Sequence, residues 1–255
     1  MPPVVNSRGA MSKKSRALVL VGHGSQRNPN TRKPICQAVQ AIRARGLFDE
    51  VRCALWKEEP HLSTLLDEVK SEDITIVPYF ISRGYYTEEV LPREMKLEGS
   101  LTEREGQSIR YTEPVGSHPL LADLIVQQAL AAGANAGTTL AILGHGTPRN
   151  PHSAENVYLQ SDRVREQHRF AEVLTVFIDQ APHLSEIFTR ARQASIVLVP
   201  LFAADGWHVT ETIPEDLRLE AGEVTRSGKT LRYTPAVGTD PRIVEVILEL
   251  AQIQE

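Results

Sequence analysis

The chain is short of the residues on which several common chemistries are built. Its 255 residues include two cysteines, Cys36 and Cys53, both in the first half and not in a CxxC pair. A cysteine-built zinc or iron–sulfur site is therefore disfavoured, and a reducing, cytoplasmic setting is expected. No apolar run approaches the ~18 residues needed to span a bilayer, so no membrane partner is expected. The formal net charge is −4, without the basic surplus of a nucleic-acid binder. Also missing are a G-x-S-x-G elbow, a G-x-G-x-x-G turn after a strand, a G-x-x-x-x-G-K-[ST] loop and an H-E-x-x-H helix. With 41% apolar and 24% charged residues, the rest of the composition is that of an ordinary globular protein.

What is present is a repetition. Gly22-His23-Gly24-Ser25 returns as Gly144-His145-Gly146-Thr147, an offset of 145 − 23 = 122. The same offset carries Arg27-Asn28-Pro29 onto Arg149-Asn150-Pro151, Pro60-His61-Leu62-Ser63 onto Pro182-His183-Leu184-Ser185, and Arg110-Tyr111-Thr112 onto Arg232-Tyr233-Thr234. Gly116 and Pro119 map onto Gly238 and Pro241. A register held without an insertion marks a tandem duplication of a unit of roughly 120 residues, large enough for a small domain. The expected division is 16–133 and 138–255, with Gly133 to Thr139 as linker. Residues 1–15 have no counterpart in the repeat, and Met11 could be the true start; disorder and no function are expected there.

Within each half, short apolar runs alternate with amphipathic stretches. In the first half, strands are expected at 17–21, 51–55, 74–79 and 109–111, with helices at 31–45, 60–69, after a Thr87 cap, and at 119–132. In the second, strands are expected at 140–143, 173–177, 196–201 and 231–233, with helices at 156–169, 184–192, 210–219 and 241–251. Such alternation predicts two tandem flavodoxin-like α/β domains with parallel sheets related by a pseudo-two-fold axis. Ligands of open sheets bind beyond the carboxyl ends of the strands. In a 2-1-3-4 strand order, the first and third strands are neighbours, and His145 and His208 can converge there.

The two copies part at one loaded position. Gly84-Tyr85-Tyr86 aligns with Gly206-Trp207-His208, so His23 stands without a second aligned histidine while His145 has one. Neutral imidazoles suit a borderline divalent ion and can also take protons near neutral pH. A loop histidine bonded to backbone is the plainer reading of His23. His61 and His183 each follow a proline at a helix start and read as fold-specifying. Asp179 could supply a carboxylate or be a solvated loop acid. Tyr85, Tyr86 and Trp207 suit either packing or stacking on a flat ligand. Arg27, Arg83 and Arg149 lie in loops where arginine could meet carboxylates or simply face solvent.

At these residues the chain resembles the CbiX-type sirohydrochlorin chelatases in their two-repeat form. The resemblance runs from about residue 16 onward and rests on the ordered set GHGS/GHGT, Phe202-Ala-Ala-Asp-Gly-Trp-His-Val209, Ile213-Pro214 and Pro235-Ala-Val-Gly238. It implies insertion of Co²⁺ or Fe²⁺ into sirohydrochlorin, with the metal as substrate and no permanent cofactor. It places the metal-handling, catalytic pair on His145 and His208; substrate contacts are expected at His23, Tyr86, Arg149, Trp207 and Asp179 from their places in the loops. Tyr86 in place of a histidine implies one competent site, in the second half. The alternative is a non-catalytic tetrapyrrole or metal carrier of the same fold. A fused repeat supplies both lobes, so a monomer is favoured over a homodimer.

Overall fold

The structure, a computed structural model, describes residues 14–26, 28–147 and 152–252. Arg27, Arg149 and residues 1–13 therefore lie outside the described residues. The first half runs β1 (Arg16–Gly22), α1 (Lys33–Arg45), β2 (Glu50–Leu55), α2 (Leu62–Glu68), β3 (Asp73–Pro78), α3 (Leu91–Glu94), β4 (Leu101–Arg104), β5 (Gln107–Tyr111) and α4 (Leu120–Ala131). The second repeats this order as β6 (Thr139–Gly144), α5 (His152–Glu166), β7 (Glu172–Phe177), α6 (Ile187–Arg190), β8 (Ser195–Pro200), α7 (Ile213–Leu217), β9 (Glu223–Arg226), β10 (Lys229–Tyr233) and α8 (Ile243–Leu250). The duplicated α/β architecture expected from the offset is thus present. Among the described residues, no helix is long and apolar enough to cross a membrane.

The sheets have the orders β2-β1-β3-β5-β4 and β7-β6-β8-β10-β9. Four strands of each are parallel, and β4 and β9 pair antiparallel with β5 and β10. This corrects the four-stranded expectation by one strand per half. β4 and β9 are short and mostly exposed, so they carry no apolar run to betray them. Their signal is the turn: Glu105-Gly106 and Ser227-Gly228 all have positive φ, the two-residue hairpin geometry that glycine favours.

Strand alternation divides the core. Leu18 and Leu20 of β1 face one cluster, and Ala17, Val19 and Val21 the other. Leu140 and Ile142 of β6 enter that same first cluster, while Ala141 and Leu143 join a third. The largest cluster therefore lies between the two sheets, built from α1, α4, α5 and α8, while α2/α3 and α6/α7 cover the outer faces. Apolar residues on both faces of β1 and β6 suit central parallel strands. The supposed polar linker is partly core: Thr138 and Thr139 are fully buried, and Thr139 begins β6.

Helix starts depart from expectation where prolines intervene. The third helix of each half opens with a wide π turn, Tyr86–Val90 and His208–Thr212, in which the N–H of Leu91 reaches the carbonyl of Tyr86 and that of Ile213 the carbonyl of His208. Pro92 and Pro214 follow at once; each lacks an N–H and its ring crowds the carbonyl four residues back, so a regular α turn is disfavoured. Thr87 is consequently not the cap. Its hydroxyl bonds the backbone of Gly84 from inside the turn.

At the other end of each half, Gly116 and Gly238 let the chain pass close to the segment after the third strand. A Cβ would sit 1.7 Å from the Ile81 carbonyl oxygen at Gly116, and 2.3 Å from that of Ala203 at Gly238.

Candidate functional site

Each half builds the same frame at the carboxyl edge of its sheet. His23 and His145 follow the first strand, and the second glycine of each GHG has φ of +69° and +68°. A side chain there would be strained, and at Gly146 a Cβ would also come within 2.5 Å of Gln180. The turn is held from the loop after the second strand of each half: the N–H of Ser25 donates to Glu58 Oε1, and that of Thr147 to Gln180 Oε1. The N–H groups of Lys57 and Asp179 donate to the carbonyls of His23 and His145, at 2.9 and 3.0 Å. The π turn is pinned from the fourth parallel strand, where Tyr111 and Tyr233 donate their hydroxyls to the carbonyls of Thr87 and Val209. Burial pushes both phenols above their ordinary range, so they remain donors.

Histidine orientation is also shared. Nδ1 of His23 donates to the Gly24 carbonyl at 2.7 Å, and Nδ1 of His145 to that of Gly146 at 2.9 Å. A carbonyl can only accept, so in the neutral ring the Nε2 lone pair is left open. The local bond foreseen for His23 is therefore made by both histidines.

Because β6 and β8 are adjacent, His145 and His208 meet. Their rings are edge-on at 89°, with centroids 5.2 Å apart. Asp179 Oδ2 lies 3.4 Å from His145 Nδ1, both side chains being about half exposed. In the first half, Tyr86 holds the place of His208, its ring 5.0 Å from that of His23 at 85°. Trp56 packs against both His23 and Tyr86, at 5.2 and 5.0 Å. Among the described residues no group of three or more His, Cys, Asp or Glu is placed to hold a metal ion, so the His145–His208 pair stands as two candidate donors.

A cavity of about 840 Å³ lies between the halves, with His23, Tyr85, Tyr86 and Arg83 on one side and His145 and Phe202 on the other. His208 is not among its lining residues and adjoins it through the His145 ring. Trp207 is 68% exposed and does not line the cavity. Arg83 is engaged by Glu113, whose hydrogen bonds raise the guanidinium above its ordinary value. His61 caps α2 through its ring, and His183 starts the turn before α6 with Glu186 accepting from its N–H. The thiols of Cys36 and Cys53 meet in the first half; burial, then the neighbouring Cys36, pushes Cys53 up to about 11.

Sequence reading missed Trp56 and Lys57. The signal was available in the offset, since 57 + 122 = 179 sets Lys57 opposite Asp179 and Trp56 opposite Ile178. Neither residue belongs to a recognisable motif, and Lys57 reads as surface charge until its N–H on the His23 carbonyl and its ammonium over Trp56 are seen.

Comparison with known proteins places this geometry in a family. The CbiX family model matches residues 17–132 and again 139–253. A probable sirohydrochlorin cobaltochelatase from Halobacterium salinarum is 38% identical, covering 92% of this chain and 90% of its own. Among solved structures, a multi-domain protein from Deinococcus radiodurans with structural similarity to chelatases superposes with a TM-score of 0.82 at 33% identity. That match covers 94% of this chain but only 55% of the Deinococcus protein, which has two additional novel domains. A CbiX described as the terminal enzyme for biosynthesis of sirohaem in denitrifying bacteria superposes at 0.66 with 25% identity, covering 94% of this chain and 98% of its own. With both halves matched by one family model, the chain belongs to the CbiX family.

Proposed function

We propose that this chain is a chelatase that inserts Co²⁺ or Fe²⁺ into sirohydrochlorin, with the metal delivered from the second half. The observation that carries the reading is the pair His145 and His208, edge-on at 5.2 Å beside a cavity of about 840 Å³. Two imidazoles this close can share one ion through bonds of about 2 Å. The cavity is of the size that encloses a compact organic ligand.

Insertion exchanges one M²⁺ for the two pyrrole N–H protons of the macrocycle, so both protons must leave as the ion enters. His145 offers Nε2 to the ion because its Nδ1–H is engaged by Gly146. As each imidazole gives up the ion to the macrocycle, its freed nitrogen can take one of the two departing protons. Two imidazoles make an open, incomplete coordination set, and the two cysteines both lie in the first half, so no thiolate of the second half holds the ion back. Asp179 orients His145 and offsets the positive charge of the ion. His23 and Tyr86 form the opposite wall against the macrocycle, Trp207 is assigned to its periphery, and Arg149, outside the described residues, is kept as a substrate contact from its place in the sequence alone.

In this reading 16–133 and 138–255 are the two lobes of one enzyme, a cytoplasmic monomer whose cleft needs no second chain. The test is to mix the protein with sirohydrochlorin and Co²⁺ or Fe²⁺ and follow the absorption spectrum. Insertion faster than the protein-free control is expected for at least one metal. A rate equal to the control, with the macrocycle or ion still bound, would make the protein a carrier instead.

A further inference from the structure

The two halves set the same frame around opposite chemistry. Each histidine meets a second ring at nearly the same distance and angle, 5.0 Å and 85° against 5.2 Å and 89°. Each also receives, on its carbonyl, the N–H of the residue 34 positions on, Lys57 or Asp179. The Asp179 carboxylate stands 3.4 Å from His145 Nδ1, whereas the Lys57 ammonium lies over Trp56, the ring packed against His23. The acid at this turn, Glu58, is engaged by the Ser25 N–H and by Arg32. The Lys57 ammonium rests 3.5 Å from the Trp56 ring centre, and among the described residues it has no carboxylate partner. Trp56 in turn backs Tyr86, which faces the cavity together with Tyr85. Arg83, which does line the cavity, is held by Glu113, whereas Lys57 and Trp56 lie outside its lining, behind Tyr86.

A cation parked on an indole keeps most of its capacity to bind an anion, because the ring attracts it without donating or accepting a proton. Phenol and indole rings offer flat apolar surface with a polar edge. The same positive charge opposes entry of a divalent ion at His23. The set therefore suits a planar, conjugated molecule with carboxylates at its rim, and it does not suit a free metal.

We infer that the first-half pocket is a docking subsite for the rim of the macrocycle, with Lys57 binding a peripheral carboxylate and Tyr86, backed by Trp56, supplying the flat wall. This rests on the proposed substrate and adds to it the residues that read its charge. The duplication then divides the labour: one frame handles the metal, while the other holds the macrocycle so that its nitrogens face His145 across the shared cavity. Lys57 and Trp56 are specificity residues in this account, remote from the proton and metal transfer.

The test is binding of metal-free sirohydrochlorin, followed by its absorbance and by tryptophan fluorescence, at low and high salt. Lys57→Gln should weaken binding about tenfold at low salt, as loss of one charge-assisted contact does, and should flatten the salt dependence. Lys57→Arg should restore both. In turnover, the loss in Lys57→Gln should fall mainly on KM and much less on kcat. A Lys57→Gln protein that binds like the wild type at both salt concentrations overturns the inference. Binding of Co²⁺ alone is measured on the same proteins to keep the two proposals apart. Normal Co²⁺ binding in Lys57→Gln shows an intact second half, so an unaltered macrocycle affinity counts against the subsite alone. Failure of the wild type to bind Co²⁺, with macrocycle binding still dependent on Lys57, sinks the metal assignment and leaves the subsite standing.

Discussion

The first and second halves differ less in shape than in what they place within it. Their strands, π turns, GHG loops and pinning tyrosines correspond one to one at a constant offset. Yet Tyr86, Lys57 and Trp56 stand where His208, Asp179 and Ile178 stand in the other copy. In the proposed reading these exchanges suit the second frame to a cation and the first to an anion's rim, the carboxylate of Glu58 being taken up by the Ser25 N–H and Arg32. Duplication makes this cheap in evolutionary terms: the backbone that aims the histidine stays intact while the chemistry beside it changes.

Removing the histidines one at a time should separate the two halves most clearly. In the absorbance assay, His145→Ala and His208→Ala should each lower kcat/KM at least about a hundredfold, the scale of a lost general base or metal ligand. His23→Ala should cost no more than about tenfold, the scale of a lost macrocycle contact. Similar losses in all three would mean that both halves work.

A second prediction runs the difference backwards. Lys57→Asp combined with Tyr86→His should give the first half the donor set of the second, because the frame already sets the two rings 5.0 Å apart. Equilibrium dialysis should then find a second Co²⁺ per chain. A stoichiometry unchanged from the wild type would show that the frames differ in more than these side chains.

Asp179→Asn should have a smaller effect, about tenfold in Co²⁺ affinity, which is the usual scale for a carboxylate that supports a metal-binding histidine. The same substitution should leave macrocycle binding by the first half close to wild type. A large loss of macrocycle affinity would instead make Asp179 a substrate contact.

The smallest expected effect concerns stability, and here the halves should agree. Glu50 and Glu172 are equivalent at the offset and play equivalent parts. Burial alone would raise both carboxyls, but donors from Ser71 and Lys70 outweigh it at Glu50, and donors from Arg192 and Thr139 at Glu172. Both therefore sit below the ordinary value of 4.5. A carboxyl depressed in the folded state stabilises above its unfolded value, and that contribution is lost as pH falls through the folded one. Glu50→Gln and Glu172→Gln should each cost about 1 kcal/mol at neutral pH and flatten the loss of stability below pH 4.5. Urea midpoints from pH 3 to pH 7 would reveal it, and a steeper acid limb in either variant would contradict it.

Much of this was legible in the residues, for identifiable reasons. The repeat carried the architecture, since a buried strand such as Ala17–Val21 ending in Gly-His-Gly has few other readings. It also set His145 beside His208, which follows once the first and third strands are neighbours. The hairpins of β4 and β9 were lost because Leu101–Arg104 and Glu223–Arg226 have no apolar alternation, only a glycine-bearing turn. The π turns escaped because helical periodicity barely registers one widened turn, although Pro92 and Pro214 marked the spot. Lys57 and Trp56 went unnoticed for a different cause: their meaning lies in proximity to His23, which the fold supplies and which neither residue displays alone.

If one half alone handles the metal, counting Co²⁺ bound at saturation to the wild type, His208→Ala and His23→Ala will show it. One ion per chain is expected for the wild type and for His23→Ala, and none for His208→Ala. One ion retained by His208→Ala, or lost from His23→Ala, would contradict it.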